Sequence, residues 1–279
     1  MRQNYVPVVS IIIPVKNAGL GFCETLSEIY AQEGVPSFEV IIIDSGSTDG
    51  TLELCRQFPV RLFQIPAAEF GHGRTRNLAA SFTSATFLVF MVQDAVPSGH
   101  DWLRNLLAPM DDERVAGAYS RNLARASASR RQTAEIERYF LPKERLQILP
   151  RDNAFSNISS IIRKSVFDTI PFSAVEFGED QIWARQVLVA GYKIKYQSSS
   201  CVVHSHDDGI RSAFLRGSQE GAFAKTIGGR PAHSSRFVVM AEALIEMLKW
   251  AIRADFKSCK YSLAMAAWHF GFLKGMRQK

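Results

Sequence analysis

Val8-Val9-Ser10-Ile11-Ile12-Ile13-Pro14 and Glu39-Val40-Ile41-Ile42-Ile43-Asp44 are the two stretches on which the fold turns. Each is short, β-branched and almost continuously apolar, the pattern of a strand buried on both faces. Val60–Ile65 and Thr86–Val92 repeat it. Helix-like stretches lie between, near Leu20–Gln32, Thr51–Phe58 and Arg74–Phe82. Such alternation predicts βαβ units, hence an α/β fold with a mostly parallel central sheet flanked by helices. Sheets of this kind bind ligands beyond the carboxyl ends of their strands.

Further along, Ser127–Phe140 reads as an exposed charged helix, Leu141–Asn153 as a loop and Asn157–Ile162 as a strand. Asp180–Ala190 reads as a helix opened by acids, and Tyr192–Tyr196 and Cys201–His204 as two more strands. From Ala232 the pattern is helical to the end. The expected division is a body of residues 1–229 and a helical tail of residues 230–279.

Composition narrows the class. The 279 residues are 47% hydrophobic and 22% charged, which suits one sizeable folded domain rather than a disordered chain. No repeat supports a solenoid. Four scattered cysteines form no Cys-x-x-Cys pair, which excludes a zinc ribbon and fits a reducing compartment. The net charge of +6 resides in the tail, where residues 230–279 hold nine Lys and Arg against three acids. A neutral body with a basic tail argues against a nucleic-acid partner and for a surface anchor. The longest uncharged tail stretch, Tyr261 to Leu273, is 13 residues, short of the roughly 18–20 needed to span a bilayer. No cleavable signal is visible, so the expected location is cytoplasmic.

The polar clusters fall where the strands end. Asp44-Ser45-Gly46-Ser47-Thr48-Asp49-Gly50-Thr51 follows a strand and opens a helix. Ser47, Thr48 or Asp49 could simply cap that helix. Asp44, at the end of a buried strand, needs a partner, which a ribose or pyrimidine edge would supply. Gln93-Asp94-Ala95 ends the fourth strand, where a carboxylate could hold a divalent ion against a diphosphate. Phe70-Gly71-His72-Gly73-Arg74-Thr75-Arg76-Asn77 precedes a helix and could offer N–H groups, Arg74 or Arg76 to phosphate oxygens. It is not the glycine fingerprint of a dinucleotide or P-loop site. Glu179-Asp180 could be acids favoured by the helix dipole, or a general base. His204-Ser205-His206 follows an apolar strand, so both imidazoles share a face and with Asp94 could complete a mixed metal site.

Taken together, Val9-Ser10-Ile11-Ile12-Ile13-Pro14-Val15-Lys16-Asn17, Ile41 to Thr51, Gln93-Asp94-Ala95 and Gly178-Glu179-Asp180 resemble the inverting nucleotide-sugar glycosyltransferases of family 2, which have the GT-A fold. The resemblance covers residues 6–210. Within the family the chain looks most like bacterial rhamnosyltransferases, through Phe70 to Asn77, Phe155-Ser156-Asn157 with Ile161-Ile162-Arg163-Lys164, and His204-Ser205-His206. One departure stands out: the family's usual Asp-x-Asp ends the fourth strand, and Val92 replaces its first acid while Asp94 keeps the second.

The resemblance implies a mechanism. Asp44 would contact base or ribose, with Pro14, Asn17, Gly46 and Asp49 shaping the same pocket. Asp94, aided by His204 or His206, would hold Mg²⁺ or Mn²⁺ against the diphosphate, and Arg74 and Arg76 are candidates for contacts to it. Asp180 would take the acceptor's proton, with Glu179 orienting it. The expected donor is dTDP-L-rhamnose, with a UDP-sugar as alternative, and the acceptor a glycan or a lipid-linked glycan of cell-surface polysaccharide synthesis. A nucleotidyltransferase and a non-catalytic nucleotide-binding module are the rival classes. The first would need a glycine-rich loop after the first strand, and the second would not need Glu179-Asp180.

In the tail, Met240, Leu244, Met247, Leu248 and Ile252 recur at helical spacing, predicting an amphipathic helix. Its apolar face could pack on the body or on a second copy. Alternatively Lys249, Arg253, Lys257 and Lys260 would meet anionic lipid on the inner face of the cytoplasmic membrane, with Trp250, Trp268 and Phe272 entering the interface.

Overall fold

The computed structural model describes residues 6–175, 177–205, 209–226 and 236–277. The first βαβ units are β1 (Val9–Val15), α1 (Phe22–Tyr30), β2 (Phe38–Asp44), α2 (Thr51–Cys55), β3 (Val60–Gln64), α3 (His72–Ala80) and β4 (Phe87–Met91). Then come β5 (Val96–Pro97), α4 (Trp102–Leu107), β6 (Val115–Leu123), α5 (Arg130–Tyr139), β7 (Arg145–Gln147) and β8 (Ser159–Arg163). The chain continues through α6 (Lys164–Thr169), α7 (Glu179–Val189), β9 (Lys193–Val203), α8 (Ile210–Thr226), α9 (Arg236–Ile252) and α10 (Phe256–Gly275).

By compactness the chain divides into Met1–Asn122 with Phe140–His204, and Leu123–Tyr139 with Ser205–Lys279. The sequence boundary at residue 230 set the basic tail apart; compactness also places α8 and the inserted α5 with it.

The first unit holds one sheet in the order β3-β2-β1-β4-β8-β6-β9-β5, with β7 on β9. Its first four strands are parallel, as the βαβ pattern requires. From β8 on, the pairings with a defined register are antiparallel, so the parallel character belongs to the first half of the sheet. Side chains alternate across β1 and β2. Ile11, Ile13, Val40 and Ile42 join a core with Phe22, Leu26 and Trp102. Ile12, Ile41 and Ile43 join a second core with Ala79, Ala80 and Trp183. Both faces are thus covered, which is why these strands read as continuous apolar runs. The register sets Val15 beside Asp44, so β1 and β2 open onto the same edge.

In the second unit α8 and α10 cross at unusually close range. A Cβ on Gly217 or Gly221 of α8 would overlap the carbonyl oxygens of Trp268 and Phe272. One on Gly271 or Gly275 of α10 would overlap those of Phe214 and Ser218. Trp268 also donates through Nε1 to Glu220 at 3.1 Å, so its indole is engaged with α8. Asp255 caps α10 by accepting from the Ser258 N–H at 3.0 Å. Among the described residues, no helix is long and apolar enough to cross a membrane.

Candidate active site

The loops after β1 and β2 are stitched together at the carboxyl edge. Asn17, in the left-handed region at φ 48°, accepts the Thr48 N–H at 2.8 Å and donates its own N–H to Ser47 Oγ at 2.8 Å. Asp49 accepts from the Gly19 N–H at 3.0 Å and from the Thr51 hydroxyl at 2.6 Å. The Thr51 hydrogen bond lowers the Asp49 pKa. Asp44 is fully buried, and its carboxylate accepts from the N–H groups of Gly46 at 3.0 Å and Ser47 at 3.2 Å. The partner demanded by this buried acid is therefore already present in its own turn, with lone pairs remaining for a ligand hydroxyl or base edge.

A cavity of about 260 Å³ opens beside these loops, lined by Pro14, Lys16, Ser45, Phe70, Arg76 and Gln93 among others. Gln93 was quoted from the sequence without a role. In the fold it accepts the Lys16 N–H at 2.8 Å, tying the end of β4 to the end of β1. Of the residues assigned from sequence, Pro14 and Arg76 line this cavity; Asp44, Asp94 and Asp180 do not.

A second cluster joins α3, α7 and the approach to β8. Arg76 is 3% exposed and its Nη1 donates to Glu179 Oε1 at 2.7 Å. Glu179, 5% exposed, also accepts from Asn157 Nδ2 at 3.2 Å. Two donors compensate a buried carboxylate, and Glu179 in turn compensates the buried guanidinium. Arg76 is thus chiefly an ion-pair partner, although its Nε has no hydrogen-bond partner among the described residues. Arg74, two residues before Arg76 in α3, is exposed.

Asp180 is half-buried at the start of α7 and accepts the N–H groups of Gln181 at 2.8 Å and Asn157 at 3.3 Å. Burial and then the charge of Glu179 push its pKa up to about 6, against the opposing pull of those N–H groups and Arg76. Asn157 was not assigned a role from sequence. It touches both carboxylates, and its position just before an apolar run makes it read as the start of a strand.

Asp94 and His204 come together as expected, with Oδ2 and Nε2 3.4 Å apart. The imidazole is buried and the carboxylate is 42% exposed. His206 lies outside the described residues. Among the described residues, no group of three or more His, Cys, Asp and Glu could enclose a metal. A carboxylate and an imidazole alone still fit a divalent ion that keeps open positions for phosphate oxygens, and the mixed donor set suits Mn²⁺ better than Mg²⁺.

Comparison with known proteins adds a consistent picture. The family described as glycosyl transferase family 2 matches residues 10–170. The O-antigen chain rhamnosyltransferase WbaN of Salmonella anatum is 32% identical over 83% of this chain and 79% of its own length. RfbN of Salmonella typhimurium, with the same description, is 30% identical over 82% of this chain and 79% of its own. Among solved structures, a Pyrobaculum calidifontis mannosyltransferase in complex with GDP-Man and Mn²⁺ aligns with TM-score 0.62 at 19% identity, over 97% of this chain and 74% of that one. Staphylococcus aureus TarS in complex with UDP-GlcNAc aligns with TM-score 0.61 at 19% identity, over 78% and 65%. At these identities the structural likeness establishes the GT-A fold.

Proposed function

The chain belongs to glycosyl transferase family 2, and from that premise we propose that it transfers L-rhamnose from dTDP-L-rhamnose to a glycan or lipid-linked glycan with inversion at the anomeric carbon. The relatives named O-antigen chain rhamnosyltransferases support L-rhamnose as the sugar and polysaccharide synthesis as the setting. The observation that carries the chemistry is Asp180. It is ionised at neutral pH, more basic than an exposed aspartate, and held by fixed neighbours.

In this reading the acceptor hydroxyl loses its proton to Asp180 as its oxygen bonds to the anomeric carbon. The bond from that carbon to the diphosphate oxygen breaks on the opposite face. A single displacement inverts the centre and needs no covalent nucleophile. Glu179 and Asn157 position Asp180. Asp44, Asn17, Gly46, Asp49 and Pro14 form the nucleotide end, and Arg74 with the Arg76 Nε supplies donors to the diphosphate. Asp94 and His204 would hold Mn²⁺ or Mg²⁺, which when bound offsets charge growing on the leaving diphosphate.

The test is a donor panel with the full chain and a rhamnose-accepting glycan, reading nucleoside diphosphate release and the anomeric configuration of the product. Turnover with dTDP-L-rhamnose and an inverted product supports the reading. Preference for a UDP-sugar overturns the donor, and retained configuration overturns the single displacement.

A further inference from the structure

The second unit has a concavity of its own, built where α5 and α10 begin. Arg125, Ser127, Ser129, Lys257, Lys260 and Tyr261 line a cavity of about 240 Å³. A shallower hollow shares Ser129 and Lys257 with it and adds Arg130, Arg253 and Phe256. Among the described residues lining the two, Asp255 is the one acid. It is engaged by the Ser258 N–H at 3.0 Å and hydroxyl at 2.9 Å, and the N–H contact leads the lowering of its pKa.

The placement of these cations runs against helix electrostatics. Neither α5 nor α10 has an acid in its first turn. Instead Arg130 and Arg131 open α5, and Lys257 lies in the first turn of α10. Positive charge at a helix N-terminus is disfavoured. Arg131 is compensated by Glu135 at 3.7 Å and Glu246 at 4.0 Å, whereas Lys257 donates to a neutral carbonyl, that of Ser127 at 3.5 Å. An anion seated in the cavity would meet Arg125, Lys257 and Lys260, with Asp255 the one acid among the described lining residues of the two hollows.

An apolar surface leads to the same corner. On α9 Met240, Leu244, Leu248 and Ile252 are 52%, 62%, 64% and 77% exposed, and Phe256 beyond them is 75% exposed. Their spacing puts the four on one face of the helix. That face ends at Arg253, Phe256 and Lys257, the residues of the shallow hollow. A ligand that joins a phosphate to a hydrocarbon matches both surfaces.

We propose that this groove binds the phosphate or diphosphate headgroup of a lipid, with the membrane covering the exposed face of α9. Ser205, which follows His204 in the chain, also lines the cavity; flotation reads lipid binding without sugar transfer, so the fate of this proposal and that of the rhamnosyltransferase reading are measured independently.

Flotation of the full chain with vesicles tests it. Phosphatidylcholine vesicles containing a minority of phosphatidic acid should carry the protein, and pure phosphatidylcholine should not. Lys257→Ala combined with Lys260→Ala should weaken partitioning by roughly 30-fold, the loss expected for two basic groups near an anionic surface, with an unchanged unfolding temperature. Leu244→Glu combined with Leu248→Glu should abolish flotation but keep the wild-type affinity for inorganic pyrophosphate measured by calorimetry. Equal flotation of the lysine variant and wild type overturns the proposal, as does equal binding to pure phosphatidylcholine. Undiminished flotation of the leucine variant overturns the membrane covering of α9, and pyrophosphate binding by a wild-type chain that does not float assigns the groove to free phosphate and overturns the lipid.

Discussion

Asp180 titrates near 3.8 in an unfolded chain and is raised to about 6 by burial and by Glu179. The activity and the stability of the protein should therefore respond oppositely to pH. The base is lost as pH falls through about 6, so transfer should drop about tenfold per pH unit on that limb. The native state holds the extra proton between the two values, so its stability is full below the unfolded pKa and declines as pH rises through 6. Asp180→Asn should reduce transfer by on the order of 10²–10⁴-fold. At neutral pH the same variant should gain stability on the order of 1–3 kcal/mol, a gain that fades in mild acid. Melting curves at both pH values check the sign, and a variant that melts lower at neutral pH contradicts it. Arg76 acts one contact further out. Arg76→Gln leaves Glu179 buried with only Asn157, at a cost of about 3–5 kcal/mol. It also removes a positive charge beside Asp180, so the acid limb of the pH profile should move upward. A higher donor KM with an unmoved limb would instead make Arg76 a diphosphate contact.

At the scale of elements, β1, β2 and β4 were legible because Ile11–Ile13, Val40–Ile43 and Leu88–Met91 are apolar runs buried on both faces, and the less buried β3 because Val60, Leu62 and Phe63 keep it largely apolar. Of the later strands, β8 was legible as Asn157–Ile162, but β6 and the continuity of β9 were not, for a reason visible in four residues. Trp102 Nε1 donates to Ser159 Oγ at 3.0 Å, Ser120 Oγ lies 2.8 Å from the hydroxyls of Ser159 and Ser200, and Ser200 donates to the Trp102 carbonyl at 3.1 Å. These serines satisfy one another inside the sheet. In sequence they look like loop, which hid β6 and split β9 into two strands at Gln197 to Ser200. Asp44, Asp94, Asp180 and His204 were legible because strand ends and helix starts are where such groups gather. The Glu179–Arg76–Asn157 contacts join residues up to 103 positions apart, and no local pattern encodes them. The α8–α10 crossing was likewise unread, since Gly217, Gly221, Gly271 and Gly275 are spaced along two helices whose pairing depends on the fold. Gly217→Val should cost at least the 1–3 kcal/mol typical of overpacking, because the obstacle is backbone and cannot rotate away. Limited proteolysis should then cut α8 and α10 sooner than the sheet; unaltered protection would show that the helices separate without loss.

For the whole molecule, the ion and the nucleotide should report on each other through global stability. In the proposed reading Asp94 and His204 would give the ion two ligands among the described residues, leaving its other positions to a bound diphosphate or water. Mn²⁺ alone should then raise the unfolding temperature little, and dTDP alone modestly. Together they should raise it by more than the sum, since each completes the other's site and a ligand stabilises a native state by RT ln(1 + [L]/Kd). Asp94→Ala should keep the shift due to dTDP alone and lose the excess. Additive shifts in the unaltered protein would mean that the ion does not bridge protein and diphosphate. The charge on the leaving group would then fall to Arg74 and the Arg76 Nε, and EDTA would leave transfer unchanged. A large shift from Mn²⁺ alone would instead require further ligands, for which His206, two residues beyond His204, is the first to substitute.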